Sequence, residues 1–129
     1  MSAHYTIDVE PSRDLIRIQL SGFFTEADFA GLLAARSAAH AQLNCRPNQH
    51  VTLTDVRDMK IQAQEMVEAF RAMIADPSYR AKRLAFVVSP TLARSQLVRA
   101  VGARDAHFFE DMGEAEAWLR TGIERDRAA

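Results

Sequence analysis

Two short segments near the N-terminus alternate apolar and polar residues, the pattern of a strand with one buried face. They cover residues 5–9 and 15–20. The apolar face of the second segment consists of Ile16, Ile18 and Leu20. Turn-forming residues at 11–14 separate the two segments, so we predict an antiparallel hairpin whose first strand lies at or near a sheet edge. Gly22 is expected to break the second strand.

The segment that follows the hairpin changes to helical spacing. Thr25 and Asp28 resemble a capping box, so a long helix is predicted to begin there and to end in the loop 44–48. Its inward face is expected to consist of Phe29, Leu32, Ala35, Ala39 and Leu43. Arg36 is placed outside that face. Residues 50–55 form the third strand, which should run parallel to the second because a helix separates the two.

A second helix is predicted over residues 62–74. Asp76 and Pro77 end it, because the residue before a proline is disfavoured in the helical conformation. The inward positions of this helix are Met66, Phe70 and Met73 or Ile74. The segment 84–88 is the most apolar of the predicted strands, so we predict that it is central and covered on both faces.

Cap residues mark the limits of the last two helices. Ser89 is predicted to cap the third helix, with Pro90 at its first position. Gly102 is expected to close that helix. The last helix is predicted to open at a pair of capping-box type, Asp111 and Glu114.

Strands and helices therefore alternate after the hairpin, and a short strand at 108–109 completes a set of about five. This order predicts the α/β class: a single-domain, mixed, mostly parallel sheet with an N-terminal hairpin and four helices. The length of 129 residues suits one domain. We predict that the domain spans 1–129, with a core at about 5–120 and a charged tail at 121–129 that frays.

Composition and charge limit the possible functions. The net charge of −1 gives no long-range attraction to nucleic acid or to an acidic membrane. The single cysteine, Cys45, rules out an internal disulfide and suits a reducing compartment. No apolar run approaches the ~20 residues of a membrane helix, and residues 1–10 lack the layout of a signal peptide. We therefore predict a cytoplasmic protein that neither binds nucleic acid nor inserts into a membrane.

Polar residues follow the third strand, where open α/β sheets place their ligands. Asp55 and Asp58, with Arg57 between them, admit two interpretations. The first is a magnesium or phosphate-linked site. The second is a strand-end carboxylate at Asp55 and a cap of the next helix at Asp58. We favour the second, because a magnesium site usually needs a substrate phosphate as well as carboxylates.

The start of the third helix offers a position for an anion, because free N–H groups at a helix N-terminus bind anions. Ser89 and Thr91 lie before that helix, and Arg94 lies one turn along it. Together with the strand-end residues, the candidate ligand-binding set is Asp55, Arg57, Asp58, Ser89, Thr91 and Arg94. The chain contains no glycine-rich nucleotide loop and no G-x-S-x-G nucleophile elbow. We therefore predict no catalytic residue and no cofactor.

His40, Cys45 and His50 are spaced five residues apart around one loop. Structural zinc sites need four ligands, usually in tight pairs, and no fourth ligand lies nearby in the sequence. A nucleophilic cysteine needs a base and an orienting group at close range. We predict neither a metal site nor a reactive thiol here.

Four large apolar side chains recur at helical or near-helical spacing in the middle of the chain: Met59, Met66, Phe70 and Met73. They admit two interpretations, an apolar pocket or ordinary core packing. Methionines at this spacing more often fill a core, so we favour core packing.

Several local motifs resemble those of SpoIIAA-like proteins, the bacterial relatives of the STAS domain with the anti-sigma-factor-antagonist fold. Ser21 and Gly22 are followed at 24–29 by Phe-Thr-Glu-Ala-Asp-Phe, which is similar to the entry to the family's first helix. The third strand ends Leu-Thr-Asp at 53–55, and the chain closes with an aromatic strand and a helix reading Ala-Trp-Leu at 117–119. The resemblance covers about residues 5–120 and implies the same fold.

The same resemblance reveals a difference. In the phosphorylated STAS antagonists, a partner kinase modifies a serine that opens the helix after the third strand. The matching segment 56–63 contains no serine or threonine, and the nearest hydroxyls, Thr52 and Thr54, lie within the predicted strand. We therefore predict that this chain has no phosphorylation switch, because a kinase cannot charge a hydroxyl that is absent. Phosphoprotein mass spectrometry would contradict this prediction if it found stoichiometric phosphate in 56–63.

Two classes of function follow from these observations. The first is a non-enzymatic STAS-like regulatory or binding module, which binds a protein partner, itself as a homodimer, or a small apolar or anionic ligand. The second is a small enzyme, or an anion- or lipid-ligand-binding protein, that uses the cleft at the C-terminal ends of the third and fourth strands. The chain shows no motif that combines a base, a nucleophile and an oxyanion donor, so we favour the first class.

Overall fold

Strands and helices alternate in the structure after an N-terminal hairpin. The computed structural model describes residues 2–101 and 106–122. The strands are β1 (His4–Glu10), β2 (Leu15–Gly22), β3 (Val51–Met59), β4 (Arg83–Val87) and β5 (His107–Phe109). The α-helices are α1 (Glu26–His40), α2 (Gln64–Ala75), α3 (Leu92–Val101) and α4 (Met112–Thr121). Within these described ranges, none of the helices combines the length and the apolar character that crossing a bilayer requires.

The five strands form one sheet in the order β1-β2-β3-β4-β5. β1 pairs antiparallel with β2, and each later pair of neighbours is parallel. The predicted α/β class, the hairpin, its edge position and the mostly parallel sheet are therefore confirmed. The tail at 123–129 and the predicted helix end at Gly102 lie outside the described residues.

The two faces of the sheet bury separate cores. Helices α1, α2 and α3 cover one face, where the core includes Ile16, Ile18, Leu32, Val67, Phe70, Leu84 and Phe86. Helix α4 covers the other face, where the core includes Leu15, Leu53, Ala85, Val87, Trp118 and Leu119. β4 contributes alternate residues to both cores, so the prediction that 84–88 forms a strand covered on both faces is confirmed. By order in the sheet, however, β3 is the middle strand.

β2 ends at Gly22, where the sequence predicted a break. The Gly22 φ of 80° lies in the left-handed region that favours glycine. A Cβ at this position would collide with the carbonyl oxygen of Ser2. Because Ser2 forms a bridge to Phe23, the N-terminal segment passes directly against this end of β2. Glycine lets the two backbones approach.

Two helices begin at their predicted caps. Thr25 Oγ1 accepts the N–H of Asp28 at 3.2 Å, and Asp28 Oδ2 accepts the N–H of Thr25 at 2.9 Å, which completes the capping box of α1. Asp111 Oδ2 accepts the N–H of Glu114 at 2.9 Å at the start of α4. Both caps depend on residues three apart, so local sequence suffices to predict them.

The predicted cap of α3 is wrong. The helix begins at Leu92, and Ser89 lies in the connection before it. The Ser89 hydroxyl donates instead to the carbonyl oxygen of Arg57 at 3.2 Å. A contact between neighbouring strand ends has therefore replaced the local cap.

Candidate functional site

A cavity lies between the sheet and helices α2 and α3. Its volume is about 90 Å³, several times the ~10–15 Å³ that one water molecule requires. Six side chains of its apolar walls are Val56, Met59, Val67, Phe70, Phe86 and Leu97. We call this cavity the apolar pocket.

An irregularity in β3 shapes the wall of the apolar pocket. Val56 and Met59 both line it, although they are three residues apart, and a regular strand would turn them to opposite faces. The pairing of β2 with β3 explains the difference. Two steps along β2, from Gln19 to Ser21, correspond to three steps along β3. The extra residue forms a bulge that redirects the side chains after it.

The four large apolar residues noted in the sequence all lie in or pack against one core, and three of them also line the apolar pocket. Met59, Phe70 and Met73 line the apolar pocket. Met66 is 6% exposed and belongs to the core beside it. Core packing, which the sequence favoured, therefore describes all four residues, and the apolar-pocket interpretation also describes three of them.

Gln62 closes one end of the pocket with a complete set of hydrogen bonds. Its side-chain oxygen accepts the N–H of Phe24 at 2.9 Å. Its side-chain nitrogen donates to the carbonyl oxygens of Gly22 at 2.9 Å and Lys60 at 2.6 Å. Gln96 binds the Gln62 backbone in both directions, accepting its N–H at 2.7 Å and donating to its carbonyl at 2.9 Å. The side-chain amides of Gln62 and Gln96 are thus both hydrogen-bonded to backbone groups of the protein.

Arg36 lies at the other end of the pocket and is 8% exposed, so its predicted position outside the buried face of α1 is wrong. Its guanidinium donates to the carbonyl oxygen of Met73 at 2.8 Å and lies 3.6 Å from the Asp76 carboxylate. It also stacks on Tyr79, with Cζ 4.1 Å from the ring centroid. His40 lines the pocket and packs on the same ring at 4.7 Å between centroids. We call this region the Arg36–His40 end.

Three buried nitrogens at or beside the Arg36–His40 end have no hydrogen-bond partner: Arg36 Nε, His40 Nε2 and His50 Nε2. His40 Nδ1 donates to the carbonyl oxygen of Arg36 at 2.9 Å, so Nε2 of the neutral ring carries the lone pair. The Tyr79 backbone raises the pKa of His40 through a weak hydrogen-bonding contact, which falls short of a full hydrogen bond to Nε2. Unpaired buried polar groups are rare in folded proteins and require an explanation.

Burial sets the protonation of this region. It lowers the pKa of Arg36, with the nearby Asp76 carboxylate opposing the shift. It also lowers the pKa of His40, which keeps that ring mainly neutral at pH 7. Burial, and next the neighbouring His40, lower the pKa of His50 to about 4. His50 is 3% exposed, and its ring lies 4.8 Å from that of His40.

The pKa of His50 predicts a pH-dependent stability. The folded pKa of about 4 lies below the unfolded value of 6.5, so the unfolded chain binds more protons between these two values. The contribution of His50 is therefore present above pH 6.5 and is lost as pH falls towards 4. We expect wild type to lose about 2–3 kcal/mol more than His50→Phe between pH 7.5 and 4.5. Urea unfolding at both pH values measures the difference, and identical losses in the two proteins would contradict the prediction.

The structure brings four residues of the predicted ligand set together. Asp55 Oδ1 accepts the backbone N–H of Arg57 at 3.1 Å and its Nε–H at 3.0 Å, and Oδ2 accepts from its terminal nitrogen at 2.8 Å. Burial raises the pKa of Asp55, but the bonds to Arg57 together outweigh it and the net shift is downward. The hydrogen bond to Asp55 raises the pKa of Arg57, and Asp58 adds a smaller contribution. Ser89 joins this group through the Arg57 carbonyl.

Asp58 lies inside β3, and the residue that precedes α2, Ala63, has no side-chain cap, so the predicted capping role of Asp58 is wrong. Thr91 and Arg94 are exposed at the start of α3, where the Arg94 N–H donates to the Thr91 carbonyl at 3.1 Å. Whether the set binds a ligand stays a prediction.

Cys45 and its flanking histidines do not form one cluster. In the described part of the chain, no group of three or more His, Cys, Asp or Glu side chains could hold a metal ion. His40 and His50 pack together, and Cys45 is half-buried in the loop between them. Burial, and next the neighbouring Asp14, raise the pKa of the Cys45 thiol, which is the opposite of the shift that activates a nucleophile.

Several polar residues of the apolar pocket were not in the predicted set: Arg36, Thr52, Thr54, Gln62 and Tyr79. Three of these positions had a detectable signal. Arg36 lies four residues after Leu32 and three before Ala39, both buried, so helical spacing places it on their face. Thr52 and Thr54 alternate in β3, so they share one face of the strand.

Neither a family model nor a curated protein matches the chain. Among solved structures, the chain is similar to an uncharacterised protein of the DUF3478 family with a SpoIIAA-like fold, from Shewanella loihica PV-4. The two chains are 18% identical, and the alignment covers 92% of this chain and 96% of that one with a TM-score of 0.69. At this identity the likeness concerns the fold alone. It confirms the predicted resemblance: this chain is an α/β domain with the SpoIIAA-like fold.

Proposed function

We propose that this protein is a non-enzymatic binding module that holds a small, mostly apolar molecule in the apolar pocket. The observation that carries the proposal is the pocket itself, a cavity of about 90 Å³ walled mainly by apolar side chains of the sheet, α2 and α3. Ligand sites are typically concave and apolar, with a few polar groups that orient the ligand. The Arg36–His40 end supplies such groups.

The polar groups that could act in catalysis are bound to other parts of the protein, which supports a binding role over a catalytic one. Both oxygens of Asp55 are bound to Arg57, and the amide of Gln62 is bound to three backbone groups. His40 Nδ1 is bound to its own helix. Each of these groups holds the scaffold in place. The proposed role also requires no hydroxyl in the segment 56–63, in keeping with the predicted lack of a phosphorylation switch.

Fluorescence titration with the neutral apolar dye N-phenyl-1-naphthylamine tests this proposal. Ala93 lines the pocket from α3, so Ala93→Phe would fill the cavity. Ser95 lies on the exposed side of the same helix, so Ser95→Phe is the matched control. We expect wild type and Ser95→Phe to bind the dye and Ala93→Phe to bind it at least ~10-fold more weakly. Equal binding by the two folded variants, or no binding to wild type, would overturn the proposal.

A protein partner, including a second copy of the chain, is a second candidate. Three exposed apolar side chains lie near the C-terminal ends of the parallel strands: Phe23 (41% exposed), Ile61 (52%) and Leu92 (71%). The Lys60 N–H donates to the Gly22 carbonyl at 3.1 Å, which brings the first two of these side chains to the same edge. Light scattering over a range of concentrations tests self-association. A monomer at all concentrations would exclude the second copy and leave a different protein as the partner.

A further inference from the structure

We propose that the ligand of the apolar pocket carries a carboxylate, which Arg36 and His40 bind while its hydrocarbon body lies along the apolar walls. This inference depends on the proposed function, since it names the chemical class of the ligand. It is drawn from the unequal ends of the pocket, from the hydrogen-bonding character of the unpaired nitrogens and from the charges that line the cavity.

The two ends of the pocket differ in whether their polar groups are free to bind a ligand. At the Gln62 end, the side-chain oxygen and nitrogen of Gln62 are bound to backbone groups at 2.6–2.9 Å. At the other end, Nε of Arg36 and Nε2 of His40 are buried without a partner, and both residues line the cavity. Leaving a buried polar group unpaired is destabilising. A ligand with a polar head at the Arg36–His40 end would remove that cost, whereas a pure hydrocarbon would not.

The unpaired nitrogens specify the head group. Arg36 Nε–H is a donor only, and neutral His40 presents a lone pair at Nε2 because Nδ1 carries the proton. A carboxyl group complements both, since one oxygen accepts from Arg36 and the other shares a proton with His40. At neutral pH the ligand enters as a carboxylate, and His40 then takes one proton from solvent. The charged pair that results is bound by two hydrogen bonds of the strong, charge-assisted kind.

The charges around the cavity favour the same ligand. The ionisable side chains that line it, apart from His40 and Tyr79, are Arg36, Lys60 and Arg80, and no Asp or Glu is among its described lining residues. The nearest carboxylate, Asp76, contacts a terminal nitrogen of Arg36 at 3.6 Å and leaves Nε unoccupied. An anionic head is therefore attracted to the cavity, and a cationic head is repelled.

Proton uptake links carboxylate binding to pH. The groups that face His40 are Arg36 on its own helix, Tyr79 after α2 and His50 before β3. Arg80 lines the same cavity, and Asp76 and Asp14 lie one contact further away. Burial, and to a smaller extent the positive charge of Arg36, lower the pKa of His40 in the free protein, against the opposing hydrogen bond to the Arg36 carbonyl. A bound carboxylate opposes both of these lowering effects. Affinity for a carboxylate should therefore rise as pH falls from 8 to 6, whereas affinity for an uncharged ligand should stay constant over that range.

Isothermal titration calorimetry with straight-chain carboxylates of six to ten carbons, and with the matching primary alcohols, tests the inference. We expect wild type at pH 6.5 to bind the carboxylate of at least one chain length ~10-fold more tightly than its alcohol. Carboxylate binding should also take up a fraction of a proton, detected by repeating the titration in buffers of different ionisation enthalpy. Equal affinities for acid and alcohol at every chain length would overturn the inference, and this comparison needs no variant.

Two variants assign the roles of the residues. Arg36→Lys keeps the charge but removes Nε–H, and His40→Phe keeps the ring that packs on Tyr79 but removes the nitrogens. Each should weaken carboxylate binding at least ~10-fold while changing affinity for the neutral dye less than ~3-fold, and His40→Phe should abolish proton uptake. Unchanged carboxylate affinity in both variants, or equal proton uptake in wild type and His40→Phe, would overturn the assignment. If wild type does not bind the dye, the proposed function fails; if it binds the dye but does not prefer the acid, only the head-group inference fails.

Discussion

Replacing Phe24 with alanine should lower the free energy of unfolding by about 3–5 kcal/mol, the usual cost of removing a fully buried aromatic side chain. Phe24 is 1% exposed and lies between β2 and α1. Its ring packs edge-on against Phe70 at 5.4 Å and is stacked with Tyr5 at 6.4 Å between centroids. The substitution would leave a void beside the wall of the apolar pocket that the rigid sheet cannot close.

The neighbouring residue provides a matched control for this effect. Phe23 is 41% exposed, so Phe23→Ala should change the free energy of unfolding by less than about 1 kcal/mol. Urea unfolding followed by circular dichroism measures both variants under the same conditions. Similar losses for the two phenylalanines would contradict the burial of Phe24 in the core.

Replacing Gln62 with alanine should destabilise the protein by about 2–4 kcal/mol, because the substitution leaves buried backbone groups without partners. Gln62 is 7% exposed. Its side chain is the acceptor for the Phe24 N–H and a donor to the Gly22 carbonyl. These bonds join the end of β2 to the loop before α2, so their loss should also loosen one end of the apolar pocket.

Gln64 is the control for Gln62. It lies two residues later, is exposed, and its side chain makes a 3.4 Å contact with Glu68. Gln64→Ala should change the free energy of unfolding by no more than about 0.5 kcal/mol. Denaturant midpoints of the two variants decide the matter: equal midpoints would mean that the hydrogen bonds of Gln62 contribute no net stability.

Much of the fold could be predicted because its signals are local. The alternating residues at 5–9 and 15–20 specify half-buried strands, and the caps at Thr25 and Asp111 act over three residues. The apolar run in β4 indicates burial on both faces, and both core clusters contain its residues. Each of these signals comes from residues close together in sequence, where spacing determines which side chains share a face.

The predictions that proved wrong concern positions where contacts with distant segments override the preference of the local sequence. The sequence predicts the end of β3 at Asp55, but pairing with β2 carries the strand to Met59 through a bulge. Ser89 precedes a proline and looks like a helix cap, yet its hydroxyl bonds to a residue 32 positions earlier. No local pattern contains these partners, because the sheet brings them together only when the chain has folded.

The order of strands and helices, the hairpin and the SpoIIAA-like architecture were determined by the sequence itself, through hydrophobic periodicity and caps that depend on near neighbours. The apolar pocket and its polar end were decided by the tertiary structure. Arg36 interacts with Met73 and Asp76, about 40 residues further along the chain, and a lone arginine in a helix is ordinarily exposed. A buried site of this kind forms only where elements distant in sequence pack together. Its polar groups can therefore be identified only from the folded structure.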